Sequence, residues 1–163
     1  MSNDRIRQTA KAAHMIGLAL FLGSILGHAI MSVVPGSGSE AKTTLILRQA
    51  IEAATVYLTL PGLVLVVASG LVLTLRGKFG FGRLRWLTLH QLLALAIVVN
   101  AVFVLLPAGD ALLAAAASWA GGGTEADFQA LAPREAIAGA INILLAVAAV
   151  FVASIRPRLR RRA

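Results

Sequence analysis

The sequence contains no cysteine, which removes disulfides, thiolate metal sites, iron–sulfur clusters and covalent c-type haem attachment from consideration. Charge is also scarce, at 13% of 163 residues against 58% hydrophobic residues. A water-soluble fold would have too little polar surface to cover such a composition. No Walker loop, activated nucleophile or carboxylate dyad is present, so hydrolysis and phosphoryl transfer find no support. Acidic residues number 7 against 15 basic ones, a formal charge of +8. The cations gather in three short flanks of apolar segments, a distribution that fits membrane topology and argues against a nucleic-acid partner.

What is abundant is apolar sequence in long runs. A bilayer core of about 30 Å needs about 20 apolar residues in a helix, and four stretches qualify, roughly 12–34, 50–75, 84–106 and 135–155. The expected fold is all-α, an integral membrane four-helix bundle forming a single transmembrane domain over 1–163. The second span is expected to begin earlier as an amphipathic turn in LILRQAIEAA, where Arg48 and Glu52, four residues apart, can pair on one face. Pro61 is expected to bend that helix. VVPGSGSEAKTT, RGKFGFGR and the segment from Pro107 to Glu135 read as connections. Within the last, ALLAAAASWA is too short to span and is expected to lie as a short helix at the membrane surface.

The basic flanks orient the bundle. Arg5, Arg7 and Lys11 precede the first span, Arg76, Lys78, Arg83 and Arg85 join the second to the third, and Arg156, Arg158, Arg160, Arg161 and Arg162 follow the fourth. The positive-inside rule then predicts both termini in the cytoplasm and a multi-pass protein of the bacterial inner membrane. The first apolar run is long for a cleaved signal peptide and lacks a clear small-x-small site, so it reads as a retained span. The arginine-rich tail reads as a topological anchor, with anionic lipid headgroups as an added partner.

Three histidines lie within or beside these spans. His14 and His90 fall at comparable distances from the cytoplasmic ends of the first and third helices, where they could face each other. Ionisable groups at such depth are functional candidates by default, and two imidazoles on different helices suit axial ligation of a b-type haem in a bundle interior. Leu18, Phe21 and Ile25 share the His14 stripe as apolar wall, and Lys11 and Arg85 are placed to meet haem propionates. His28 lies fourteen residues beyond His14, within about 40° of the same face after a rise of about 21 Å. For His28 the favoured reading is a hydrogen-bonded layer with Glu52, Asn100 and Asn142; haem-iron ligation is the alternative. Met15 and Met31 raise copper as an alternative cofactor. Gly23 and Gly27 form G-x-x-x-G, expected to pack on another helix, and Gly62 and Gly70 likewise permit close contact. Trp86, with Arg83 and Arg85, reads as an interfacial anchor.

KAAH at 11–14, FLGSILGH at 21–28, TLPG at 59–62, Ser69-Gly70 and RWLTLH at 85–90 give the chain a resemblance to a loose group of small bacterial four-helix membrane proteins. The group includes an uncharacterised predicted membrane family, the CopD-type copper-resistance proteins and the HemJ-type protoporphyrinogen oxidases. The resemblance covers about the first two thirds of the chain. Its HemJ side implies haem or porphyrin binding through His14 and oxidation of protoporphyrinogen, and its CopD side implies copper passage. The lysine that follows Trp86 in the HemJ pattern is missing, as is that pattern's charged C-terminal motif. The resulting expectation is one haem between helices 1 and 3, electron transfer with a quinone or redox protein as partner, and oxidoreductase activity left open. A porphyrin-oxidising enzyme, a copper permease and a cofactor-free accessory subunit remain as alternatives, and a homo-oligomer is open.

Overall fold

A computed structural model describes residues 3–34, 36–76 and 84–156. The chain forms four helices, each long and apolar enough to cross a membrane: α1 (Asn3–Met31), α2 (Ala41–Leu75), α3 (Arg85–Ala120) and α4 (Glu125–Ile155). They run alternately up and down, so Asn3, Arg76, Leu84 and Arg156 share one end, here the terminal end. The turns at 32–40 and 121–124 share the other, distal end. Lys78, Arg83 and the arginines from 158 onward lie outside the described residues.

Every expected span lengthens at one end at least: α1 begins at Asn3 rather than 12, α2 at Ala41 rather than 50, and the two largest changes are in α3 and α4. ALLAAAASWA is no separate surface helix but the last part of α3, which runs without a break through Pro107. The fourth helix starts at Glu125, ten residues before the expected 135, and carries Pro133 within its span. Its start is set locally: Thr124 is extended, its hydroxyl bonds the Asp127 carboxylate at 3.0 Å, and Glu125 and Asp127 face the positive end of the helix dipole. Gly122, with φ of 101°, supplies the left-handed turn that separates α3 from α4.

Pro61 and Pro107 do not break their helices because each follows a widened turn. A proline ring clashes with the carbonyl four residues earlier, here that of Tyr57 or Phe103. In both helices a five-residue segment ending two residues before the proline, Thr55–Thr59 and Ala101–Leu105, is wound as π-helix, with Leu60 N–H bonded to Thr55 O and Leu106 N–H to Ala101 O. The sequence repeats at these sites: TVYLTLPG at 55–62 and AVFVLLPA at 101–108.

The widened turns divide the bundle. In the terminal half α1 packs along Leu60–Leu75 of α2, and Arg85–Asn100 of α3 packs along α4, while α1 and that part of α3 scarcely touch. In the distal half Ala41–Ala54 packs on Leu106–Ala120, which also meets α4. Close approach of α1 and α2 depends on Gly17 and Gly62: a Cβ on Gly62 would fall 2.8 Å from Phe21 N, and one on Gly17 would fall 2.9 Å from Val66 N. Gly23 and Gly27, the expected contact pair, make no such approach; a Cβ on Gly23 meets nothing within 4 Å, and one on Gly27 meets only Met31 of its own helix.

Burial is inverted relative to a soluble domain. Ile16, Val64, Leu71, Leu95, Leu144 and Phe151 point outward, while Ser24, Thr44, Arg48, Thr59, Ser69, Thr74 and Asn142 are buried. One apolar core joins the helices at mid-height through Phe21, Ile25, Leu63, Ile97, Ala101, Ala146 and Ala149. A smaller one, Leu112, Ala116 and Phe128, closes the distal end.

Candidate functional site

At the terminal end each imidazole is held by the neighbouring helix of its own pair. His14 Nδ1 lies 3.1 Å from Val66 O and 3.0 Å from Ser69 Oγ on α2. His90 Nδ1 lies 3.0 Å from Ala149 O on α4. A carbonyl oxygen only accepts, so in both rings Nδ1 carries a proton and donates it, and in the neutral imidazole Nε2 is then the lone-pair nitrogen. Gly70 faces the His14 ring, where a Cβ would sit 3.4 Å from Cε1. The two rings come from different helix pairs. Lys11 is exposed three residues before His14, and Arg85, also exposed, opens α3. The expected Trp86 anchor has Arg156 over its ring, with Cζ 5.6 Å from the centroid, tying the end of α4 to the start of α3.

At the distal end the expected polar layer separates into distinct networks. His28 Nε2 lies 3.3 Å from Ser24 Oγ, which lies 2.7 Å from Thr59 Oγ1, and both hydroxyls reach Ala54 O in front of the first widened turn. Asn100 and Asn142 pair with one another instead: Asn100 Nδ2 donates to Ala138 O at 2.9 Å and to Asn142 Oδ1 at 3.2 Å. Arg48 does not pair with Glu52 along its own helix. It crosses to Glu135 of α4 at 2.5 Å, with both side chains largely buried, and its guanidinium lies 5.5 Å from the Phe128 ring centroid.

Between the mid-height core and the distal core lies a cavity of about 530 Å³. His28, Arg48, Glu52, Glu135 and Asn142 are among its polar lining residues, and Ile25, Leu63, Leu105, Phe128 and Ile143 among its apolar ones. Neither His14 nor His90 lines it. The four sequence-predicted residues His14, His90, Lys11 and Arg85 thus all lie in the terminal half of their helices, and His28 lies apart from them in the cavity wall. Met15, a candidate copper ligand, is 65% exposed on the outer face. Among the described residues no three His, Asp or Glu side chains gather as a metal site; a bis-imidazole haem requires only two.

Glu135 is the buried charged residue of the cavity wall that the sequence reading does not single out. Its signal was positional, since Glu135 stands seven residues before Asn142, on the same face of α4, and Arg48 is the lone cation within the apolar run LILRQAIEAA. No protein family, curated protein or solved structure matches the chain. The likeness to CopD- and HemJ-type proteins therefore rests on its short motifs alone.

Proposed function

We propose that this chain is a multi-pass inner-membrane protein, with both termini cytoplasmic, that holds one b-type haem between α1 and α3 through His14 and His90 and works in electron transfer. The observation that carries this reading is the shared state of the two imidazoles. Each donates Nδ1–H to a backbone carbonyl, which in the neutral ring leaves Nε2 as the lone-pair nitrogen, an arrangement that fixes tautomer and direction and raises the basicity of a ligand histidine.

Other features support the same site. The scant contact between α1 and the first half of α3 suits a flat ring between them, and Gly70 presents no side chain to the His14 imidazole. Lys11 and Arg85 would meet the propionates through charge-assisted hydrogen bonds. When bound, haem supplies one-electron chemistry at its iron; the protein's part is to set the two ligands and exclude water with apolar walls. Membrane placement draws on the apolar outward faces and on Arg5, Arg7, Lys11, Arg76, Arg85 and Arg156 at one end of the helices.

The test is optical. Purified after expression with haem supplied, the wild type is expected to show a low-spin b-type spectrum in oxidised and reduced forms. His14→Ala and His90→Ala should each lose the haem or turn it high-spin. A wild type without a Soret band, or an unchanged low-spin spectrum in both variants, overturns the proposal.

A further inference from the structure

The α2 helix changes character at Glu52. From Ala53 to Leu75 it carries no charged residue, whereas Gln49, Arg48 and Lys42 lie on the distal side of Glu52. The distal cavity follows the same gradient: on α2 it is lined by Arg48 and Glu52 at one end and by Leu60 and Leu63 at the other, a run of about 16 Å from Glu52 to Leu63. The facing helices repeat the order, with His28 distal to Ile25 on α1 and Glu135 distal to Ile143 on α4. A molecule filling this space meets charge at one end and aliphatic side chains at the other.

The charges at the polar end do not balance. Arg48 is matched by Glu135. His28 turns Nε2 toward the Ser24 hydroxyl at 3.3 Å and, among the described residues, forms no ion pair. Glu52 stands one turn beyond Arg48 and one turn before Thr55, both of which line the cavity with it, and it has no hydrogen-bond or ion-pair partner among the described residues. Its carboxylate is also within reach. Among those residues the one unpartnered polar side-chain atom closed off from contact is Asn142 Nδ2, while Glu52 is only partly buried. The wall thus holds one carboxylate that is both unmatched and accessible.

An unmatched carboxylate beside apolar walls is costly until a positive charge joins it, and that requirement sorts the ligands. An anion adds repulsion, and a neutral molecule leaves the carboxylate as it was. A metal ion finds too few ligands, since among the described residues no three His, Asp or Glu side chains gather. An organic ammonium group supplies both the missing charge and N–H donors for a charge-assisted hydrogen bond, and its hydrocarbon part matches the apolar end. The volume of about 530 Å³ lies within the usual range for small-molecule sites, about 300–1,000 Å³.

We propose that the distal cavity binds a monocationic amphiphilic amine, with its ammonium group on the Glu52 carboxylate and its hydrocarbon part against Leu60, Leu63 and Ile143. A free alkylamine and the ethanolamine headgroup of a lipid share this chemistry. The site is separate from the His14–His90 pair and does not depend on haem there.

Octylamine, octanol and octanoate, matched in chain and different in charge, test the proposal. Each is titrated calorimetrically into haem-free protein in nanodiscs of phosphatidylcholine, whose quaternary nitrogen has no N–H to donate, with empty nanodiscs as the partition blank. At about pH 8 an ordinary imidazole is neutral, carboxylates are ionised and aliphatic amines are protonated. Octylamine should bind saturably and at least tenfold more tightly than octanol or octanoate. Glu52→Gln, isosteric and neutral, should weaken octylamine at least tenfold and leave octanol unchanged, while Glu52→Asp, which keeps the charge, should retain the preference for octylamine. Octanol binding as tightly as octylamine, octanoate binding more tightly, or undiminished octylamine affinity in Glu52→Gln would each overturn the proposal. Replacing part of the phosphatidylcholine by phosphatidylethanolamine identifies the source: competition against octylamine assigns the site to a lipid headgroup, and unchanged affinity assigns it to a free amine. Because no haem is present, these results leave the spectral test of His14 and His90 unaffected.

Discussion

The terminal and distal halves of this bundle are built from the same apolar vocabulary and packed by opposite means. In the terminal half glycine lets two backbones touch, Gly17 against Gly62, and each imidazole seats on a carbonyl of the next helix. In the distal half a buried guanidinium and carboxylate bridge α2 and α4, a widened turn ahead of a proline borders it in each of α2 and α3, and a cavity remains. Small residues bring helices to contact; long charged ones hold them at a set separation. The contrast locates where volume is left for a ligand, and it makes the cost of a substitution depend on its end of the molecule.

The largest effect is expected at the ion pair. Glu135→Leu leaves Arg48 buried without its counter-charge, and breaking such a pair costs about 3–5 kcal/mol. Arg48→Met should cost a similar amount by stranding Glu135. The double variant should recover most of the loss, since an apolar pair of similar volume needs no desolvation. Unfolding by SDS titration of purified protein reads all three. Two nearly neutral single variants would mean that the distal half is not held by this bridge.

Glycine substitutions compare the two ends directly. Gly62→Ala places a methyl group 2.8 Å from Phe21 N and should destabilise by about 1–3 kcal/mol, the usual cost of overpacking. Gly139→Ala adds the same methyl group where nothing lies within 4 Å and should be neutral or stabilising by up to about 1 kcal/mol through helix propensity. Equal losses at both sites in the same titration would erase the distinction between a closed and an open half.

Much of this architecture is legible in the sequence. Apolar runs locate all four helices because outward-facing and core-facing positions are alike apolar, and hydropathy reads length without needing to know the face. That same indifference hides the rest. The run 111–120 looks like a separate piece because Pro107 normally ends a helix, yet the widened turn at Ala101–Leu105 absorbs the proline. The repeated octets at 55–62 and 101–108 carry that signal: a proline that follows the same pattern twice is a built feature rather than a stop. Depth matching brings His14 and His90 to one end but does not reveal which helix each ring seats on. The Arg48 partner is misread because spacing along one helix is visible in sequence and proximity across helices is not. Gly17 and Gly62 outcompete the more recognisable Gly23 and Gly27 for the same reason, since a motif does not state which face meets a neighbour.

The smallest effect is expected at the prolines, and it separates two accounts of the widened turns. If proline alone forced the π winding of Thr55–Thr59, Pro61→Ala would let α2 return to ordinary winding, lose the extra residue in that turn and rotate Ala41–Ala54 by about 100°. Arg48 would then leave Glu135. Opposing that rotation are the ion pair, the Gly38 N–H bond to Thr44 Oγ1 at 2.8 Å and the packing of Leu45 on the distal core. We expect these contacts to keep the turn wide, so that Pro61→Ala changes stability by less than about 1 kcal/mol, well short of the roughly 3 kcal/mol that an unrelieved helix proline costs. A double-mutant cycle decides the matter. With the turn retained, Arg48→Met destabilises the Pro61→Ala protein as much as it does the wild type. With the turn relaxed, Arg48 has already lost its partner and its replacement costs nothing further.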